Sequence, residues 1–202
     1  MGKKTVMKLF IILVFVSFTV FSPPITEAGE PTEQVKQTVD AVIKILNNKE
    51  LKKPEKQSER RLKIRETVEK RFDFEEMAKR SLALHWKNRT PQEQKEFVSL
   101  FSDLLEDTYI RKIERYEDEK VTYTEEKTEG SYATVRTRII TTKEIEIPVD
   151  YKIFQKGQKW EVYDIVIEGV SLVNNYRTQF NQIIRSGSYE ELVTRLKKKV
   201  LK

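Results

Sequence analysis

Three groups of side chains in this sequence have types and spacings that could do chemistry. His85 is the one histidine in 202 residues, with Ser81 before it and Lys87 after it. A Ser–His nucleophile of the hydrolase type displays its serine on a sharp strand-to-helix elbow, and no Gly-x-Ser-x-Gly occurs. A histidine at a helix end or core edge is the better reading. Asp164 and Glu168 have the residue types of a glycosidase acid pair. Four residues along a strand separate them by roughly 13 Å, whereas working pairs sit at about 5 to 9.5 Å, so structural roles suit them better. The basic runs Lys52-Lys53, Arg111-Lys112 with Arg115, and Lys197-Lys198-Lys199 read as solvated helix faces. Their alternative use is attraction to anionic lipid, at about 1 kcal/mol per charge near a surface.

The remaining chemistry is excluded by composition. With no Cys and one His, a thiol nucleophile and a zinc site have no ligands to draw on. The six glycines are scattered singly, so no phosphate-cradling loop is present. No cofactor and no metal are expected, and the chain does not read as an enzyme.

The N-terminus reads as an address. Lys3, Lys4 and Lys8 precede an apolar run from Leu9 to Phe21, Ser22-Pro23-Pro24 interrupts it, and Thr26-Glu27-Ala28 supplies small residues for cleavage. That order is a secretory signal peptide, and the run is shorter than the roughly 20 residues a membrane span needs. Residues 1–28 are therefore expected to be removed, leaving 29–202 as one domain in the periplasm. Removal lowers the formal charge of +6 by two, since three lysines and Glu27 leave. Charges of both signs are interleaved through the remainder, unlike the one-sided basic footprint of a nucleic-acid binder. No nucleic acid is expected as partner, and a monomer is.

The elements that must position any site follow from periodicity. Val35, Val39, Val42, Ile43 and Leu46 have helical spacing over Thr32–Leu46, and Glu50–Glu59 is a charged connector. Arg60–Arg71 resumes as helix with Leu62, Ile64 and Val68, followed by Phe72, Phe74, Met77, Ala78, Leu82 and Trp86. Thr90-Pro91-Gln92-Glu93 is a capping box with proline in the first turn. The helix it opens runs to about Tyr116, with Phe97, Leu100, Phe101, Leu104, Leu105, Ile113 and Tyr116 on one stripe. From Lys120 the period becomes two. Val121/Tyr123 and Val135/Thr137/Ile139 alternate around a turn at Glu129-Gly130. In Glu144–Phe154, Ile145, Ile147, Val149, Tyr151 and Ile153 share a face, and Pro148 suggests an edge or bulge. Trp160–Glu168 is apolar on both faces, Trp160, Val162 and Val166 on one and Tyr163, Ile165 and Ile167 on the other, which predicts a central strand. Gly169 ends it. A helix from Leu172 to Ile184 stops at Ser186-Gly187, and a second capping box, Ser188 to Glu191, opens a last one.

The fold class is α+β: a twisted antiparallel sheet of about four strands with helices on one face. From the residues alone this is an exported domain that binds something apolar or a protein, and both readings stay open.

Two stretches carry a resemblance. Residues 160–180, WEVYDIVIEGVSLVNNYRTQF, resemble the signature of the MlaC family, the toluene-tolerance auxiliary proteins. Thr90-Pro91, Phe97, Phe101, Leu104-Leu105 and Thr108-Tyr109 are similar to that family's central helix, and Phe74, Met77-Ala78, Leu82 and Trp86 to the helix before it. The family's usual glycine after that leucine is Ala83 here. The resemblance implies a cone-like α+β fold whose apolar pocket, between sheet and helices, takes phospholipid acyl tails. It implies a shuttle that maintains outer-membrane lipid asymmetry. Its partners would be an inner-membrane ABC transporter complex with a lipid-binding ring and an outer-membrane lipoprotein–porin complex. A related branch is associated with hopanoid biosynthesis. On this reading the pocket residues are Leu100, Phe101, Leu104, Leu105, Ile139, Ile147, Val149, Tyr151, Val162, Ile165, Ile167, Val170 and Leu172, about half lining the cavity and the rest plain core. Val170 is expected at the mouth, where Val170→Glu would cost lipid loading more than folding.

Overall fold

In the computed structural model, residues 30–200 are described; the expected signal peptide lies outside them. Helix α1 spans Glu30–Leu46. Its first turn is capped from a distance, since Glu126 Oε2 accepts from Thr32 N at 2.9 Å and Thr32 Oγ1 at 2.6 Å. The predicted connector is partly helical: a 3₁₀ turn at Pro54–Lys56 runs into α2 at Gln57–Glu69. Ile64 is the one buried residue of α2, so ion pairs tie this helix to α4. Arg65 donates to Asp103 at 3.0 Å and Glu106 at 2.8 Å.

Helix α3, Phe74–Leu82, is capped by Asp73, which accepts from Glu76 N at 2.8 Å. A 3₁₀ segment, Ala83–Asn88, follows through a left-handed Ala83, φ 50°. Helix α4, Pro91–Ile113, starts on the capping box expected of it: Thr90 Oγ1 accepts from Glu93 N at 3.2 Å, and Glu93 Oε2 from Thr90 N at 2.7 Å.

The expected antiparallel sheet of about four strands is present, with four long strands and one short one among the described residues: β1 Lys120–Glu129, β2 Tyr132–Ile140, β3 Glu146–Lys156, β4 Lys159–Ile167 and the two-residue β5 Val170–Ser171. All neighbours pair antiparallel in the order β1-β2-β3-β4-β5. Glu168 (φ 49°) and Gly169 (φ 80°) join β4 to β5 with the two successive positive φ values that a two-residue type I′ hairpin requires. Pro148 lies opposite Arg138 of β2, just before the β3–β4 ladder begins at Val149, so its missing N–H costs no bond on the β4 side.

Two expectations for β4 are corrected. It is not central: among the described residues, beyond it lie only β5 and the Arg71–Asp73 segment, which bonds Val162 through Asp73 N at 2.9 Å and Arg71 O at 2.8 Å. Nor do its faces alternate throughout. Val162 pairs with Ile153 and Asp164 with Lys152, so Tyr163 is an extra residue in a bulge. Past it the pleat changes phase, and Ile165 and Ile167 join Trp160 and Val162 on the inner face, opposite Tyr151 and Val149.

Helix α5, Leu172–Ser186, and α6, Tyr189–Val200, complete the chain. Only half of the second capping box forms. Ser188 Oγ accepts from Glu191 N at 3.2 Å, while the Glu191 carboxylate turns to Arg195 Nε at 3.1 Å. The core divides accordingly. One cluster is purely helical, with Phe97 and Phe101 of α4 meeting Phe180 and Tyr176 of α5 edge to face, centroids 5.6 and 5.3 Å apart. A second joins Val35 of α1 to Ala133, Val135, Ile153, Trp160 and Val162 on the sheet.

Candidate binding cavity

Between the inner face of the sheet and α1, α2 and α4 the packing is incomplete. Two lobes remain, of about 520 Å³ and about 260 Å³. They share Val68, Phe72, Tyr109, Ile113 and the sheet residues Ile139, Val149, Tyr151, Ile165 and Ile167. The larger is roofed by Val39, Val42 and Ile43 of α1; the smaller is closed by Ile64 of α2, Phe74 and Met77 of α3, and Leu105 and Ile110 of α4. The larger lobe falls within the range typical of sites for small ligands, about 300 to 1,000 Å³, and the smaller just below it.

The walls are almost wholly aliphatic and aromatic. Tyr151 is enclosed by protein, and burial pushes its phenol up to about 12, yet it keeps open surface because that surface faces the lobes. Charge enters at three places: at Arg65 and Glu106 on the helical side of the smaller lobe, and at two ends of the larger one. Arg71 is held at one end by Thr38 Oγ1 (3.3 Å) and Trp160 O (2.7 Å), and desolvation lowers its pKa. At the other end stand Lys112, Glu119, Thr141 and Glu168, and of the residues lining the larger lobe only Lys112 and Glu168 are exposed. That end, where β2 and β4 finish and β3 begins, is the mouth.

The residues expected in a pocket are distributed as follows. Leu105, Ile139, Val149, Tyr151, Ile165, Ile167 and Leu172 line the smaller lobe. Ile147 and Val162 line the larger one, along with the sheet residues common to both. Leu100, Phe101 and Leu104 line neither, because that side of α4 packs into the helical cluster. Val170 is 56% exposed on the hairpin beside Glu168 and forms no part of the wall. The contributions of α1, α2, Phe72, Tyr109 and Ile110 were missed. Their helical spacing was visible; their partner was not.

The other candidate groups have structural occupations. His85 Nε2 lies 3.0 Å from Asn181 Oδ1. Asp164, on the outer side after the bulge, accepts from Val173 N at 2.9 Å and Ser171 Oγ at 2.5 Å, and Ser171 Oγ accepts from Asn174 N at 3.0 Å. The pair anchors the start of α5 on β4. The stretch carrying the resemblance is thus the joint between sheet and helical core: inner-face Trp160 and Val162, bulge, cap, tight turn, then Leu172, Val173, Tyr176 and Phe180 in the core.

Comparison with known proteins agrees with this architecture. Residues 36–198 match the family model described as MlaC protein. The chain is 24% identical over 196 residues to the intermembrane phospholipid transport system binding protein MlaC of Haemophilus influenzae, covering 94% of this chain and 91% of that one. A solved phospholipid-binding protein from Ralstonia solanacearum, in complex with a phospholipid, has the same fold. Its TM-score is 0.74 at 24% identity, over 84% of this chain and 96% of that one.

Proposed function

The chain belongs to the MlaC protein family, and from that premise we propose that it is a periplasmic carrier that moves phospholipid between two membranes, sheltering acyl tails in the two lobes. The observation that carries this reading is the largely apolar space between sheet and helices, bordered by exposed Lys112 and Glu168 where the larger lobe reaches the surface. The name of the Haemophilus relative and the phospholipid held by the Ralstonia protein support it.

The energetics define what such a carrier must supply. Two acyl chains hold roughly 30 methylenes, and each costs about 0.8 kcal/mol to expose to water. A lipid leaving a bilayer therefore faces on the order of 20 kcal/mol unless its tails enter another apolar phase. Side chains such as Ile139, Val149 and Ile165, on the wall common to both lobes, provide one. Transfer is passive, set by relative affinities. The donor and acceptor in this reading are the outer-membrane lipoprotein–porin complex and the inner-membrane ABC transporter complex with its lipid-binding ring. The working species is a monomer of residues 29–202 after removal of the signal peptide.

Native mass spectrometry of protein purified gently from periplasm, followed by lipid extraction, tests this directly. A near one-to-one phospholipid adduct is the expected result. A polycyclic lipid would keep the carrier and change its cargo. A lipid-free mass that also takes up nothing from vesicles would overturn the reading.

A further inference from the structure

Three charges border the mouth of the larger lobe. Lys112 Nζ lies 5.3 Å from the centroid of the Tyr109 ring and makes no ion pair among the described residues. Glu119 and Glu168 line the same end and are likewise without a cationic partner among the described residues. What sets these three apart from other charges without ion partners is their place: all three border the opening of one apolar lobe, whereas carboxylates such as Glu114 and Asp73 are already neutralised by arginine or lysine.

Their placement is fixed by the backbone. Glu168 sits in the positive-φ hairpin and its N–H donates to Pro148 O at 3.0 Å. Glu119 is held through Oε2, which accepts from Glu117 N at 2.6 Å, while its backbone carbonyl accepts from Tyr116 Oη at 3.1 Å. One cation and two carboxylates therefore border the point where an amphiphile with buried tails would present its polar end.

Resting on the lipid-carrier reading, we propose that this mouth is a headgroup site selecting amine-bearing, zwitterionic phospholipids over anionic ones. Lys112 faces the phosphate and the carboxylates of Glu119 and Glu168 face the ammonium. A headgroup with phosphate but no amine satisfies Lys112 alone and brings a net negative charge toward two carboxylates. Specificity here comes as much from repelling the wrong headgroup as from attracting the right one.

The test loads full-length mature protein from vesicles holding equal amounts of phosphatidylethanolamine and phosphatidylglycerol, and quantifies both lipids in the protein fraction. The protein is expected to enrich phosphatidylethanolamine several-fold over the vesicle ratio. Glu119→Gln with Glu168→Gln should bring the bound ratio down to that of the vesicle, with total lipid per protein unchanged. Glu117→Gln with Asp118→Asn makes the same change in net charge at neighbouring positions off the wall, and should leave the preference intact. Wild-type protein that takes both lipids in the vesicle ratio overturns the inference while leaving the carrier standing, as does a preference that survives the Glu119/Glu168 substitutions. Protein that takes up no lipid of either class overturns the carrier reading and this inference with it.

Discussion

Glu114, just past the end of α4, accepts from Nε and Nη2 of Arg61 on α2 at 3.2 and 2.7 Å, and Arg60 Nη2 donates to the same carboxylate at 2.8 Å. With its side chain 9% exposed, Glu114 fastens a helix that buries little of its own. The hydrogen bond from Arg61 is the largest of the effects holding its carboxyl below the ordinary 4.5, against desolvation that pushes the other way. A depressed carboxyl stabilises the fold above its unfolded value, and the contribution disappears as pH falls through the folded one. Glu114→Gln should cost about 1 to 2 kcal/mol near neutrality, with allowance for the partly exposed Arg61. The difference from wild type should shrink in urea titrations well below pH 4.5.

Ala83 adopts φ 50° and ψ −118°, a region that side chains avoid. Such strain costs about 1 to 3 kcal/mol, of which glycine would return all but the roughly 0.5 to 1 kcal/mol it loses through the unfolded chain. Ala83→Gly should therefore raise stability by about 1 kcal/mol in chemical unfolding. No gain, or a loss, would mean that the turn is relaxed with its methyl group in place.

The two sides of α4 should respond differently. Phe101→Ala opens a hole in the helical cluster and should destabilise by about 3 to 5 kcal/mol, with lipid per folded molecule unchanged. Ile139→Trp projects into the space shared by both lobes. It should leave the melting temperature near that of wild type and reduce bound lipid several-fold. The reverse pattern would place the ligand among α4, α5 and α6.

Tyr151 supplies an alkaline test. Its phenol is pushed up to about 12 by burial, from an ordinary 10. A raised value means stability is fully present below the unfolded value and declines as pH climbs from 10 toward 12. One proton contributes a slope of about 1.4 kcal/mol per pH unit. Tyr151→Phe should flatten the alkaline limb of the stability curve by that much. An unchanged limb would place the hydroxyl in water.

Much of this architecture can be read from residue spacing, and the exceptions have identifiable causes. The capping box at Thr90, the alternation from Ile147 to Ile153 and the turn at Gly169 are local, and each appears where its pattern lies. The inner face of β4 does not, because one extra residue at Tyr163 reverses the phase of everything after it. Periodicity carries no sign of a bulge. Helix α4 misled in another way: its apolar stripe is wide enough to serve two partners. Phe97, Phe101 and Leu104 turn to α5 and α6, while Tyr109, Ile110 and Ile113 turn to the lobes. Spacing shows that a helix side is apolar and not what will cover it.

Because every strand pairs with its neighbour in sequence, the sheet can zip up through successive hairpins, each closing only a short loop. The roof is different, since the Thr32–Glu126 bond that seats α1 spans 94 residues. Loop-closure entropy delays such a contact until enough of its framework exists to reward it. The wall of the cavity thus forms before its roof, and in pulse-labelling hydrogen exchange the α1 amides should gain protection after those of β2 and β3. On that order the apolar wall would be exposed before α1 covers it, the point at which a folding chain is most open to capture by a lipid or by another chain.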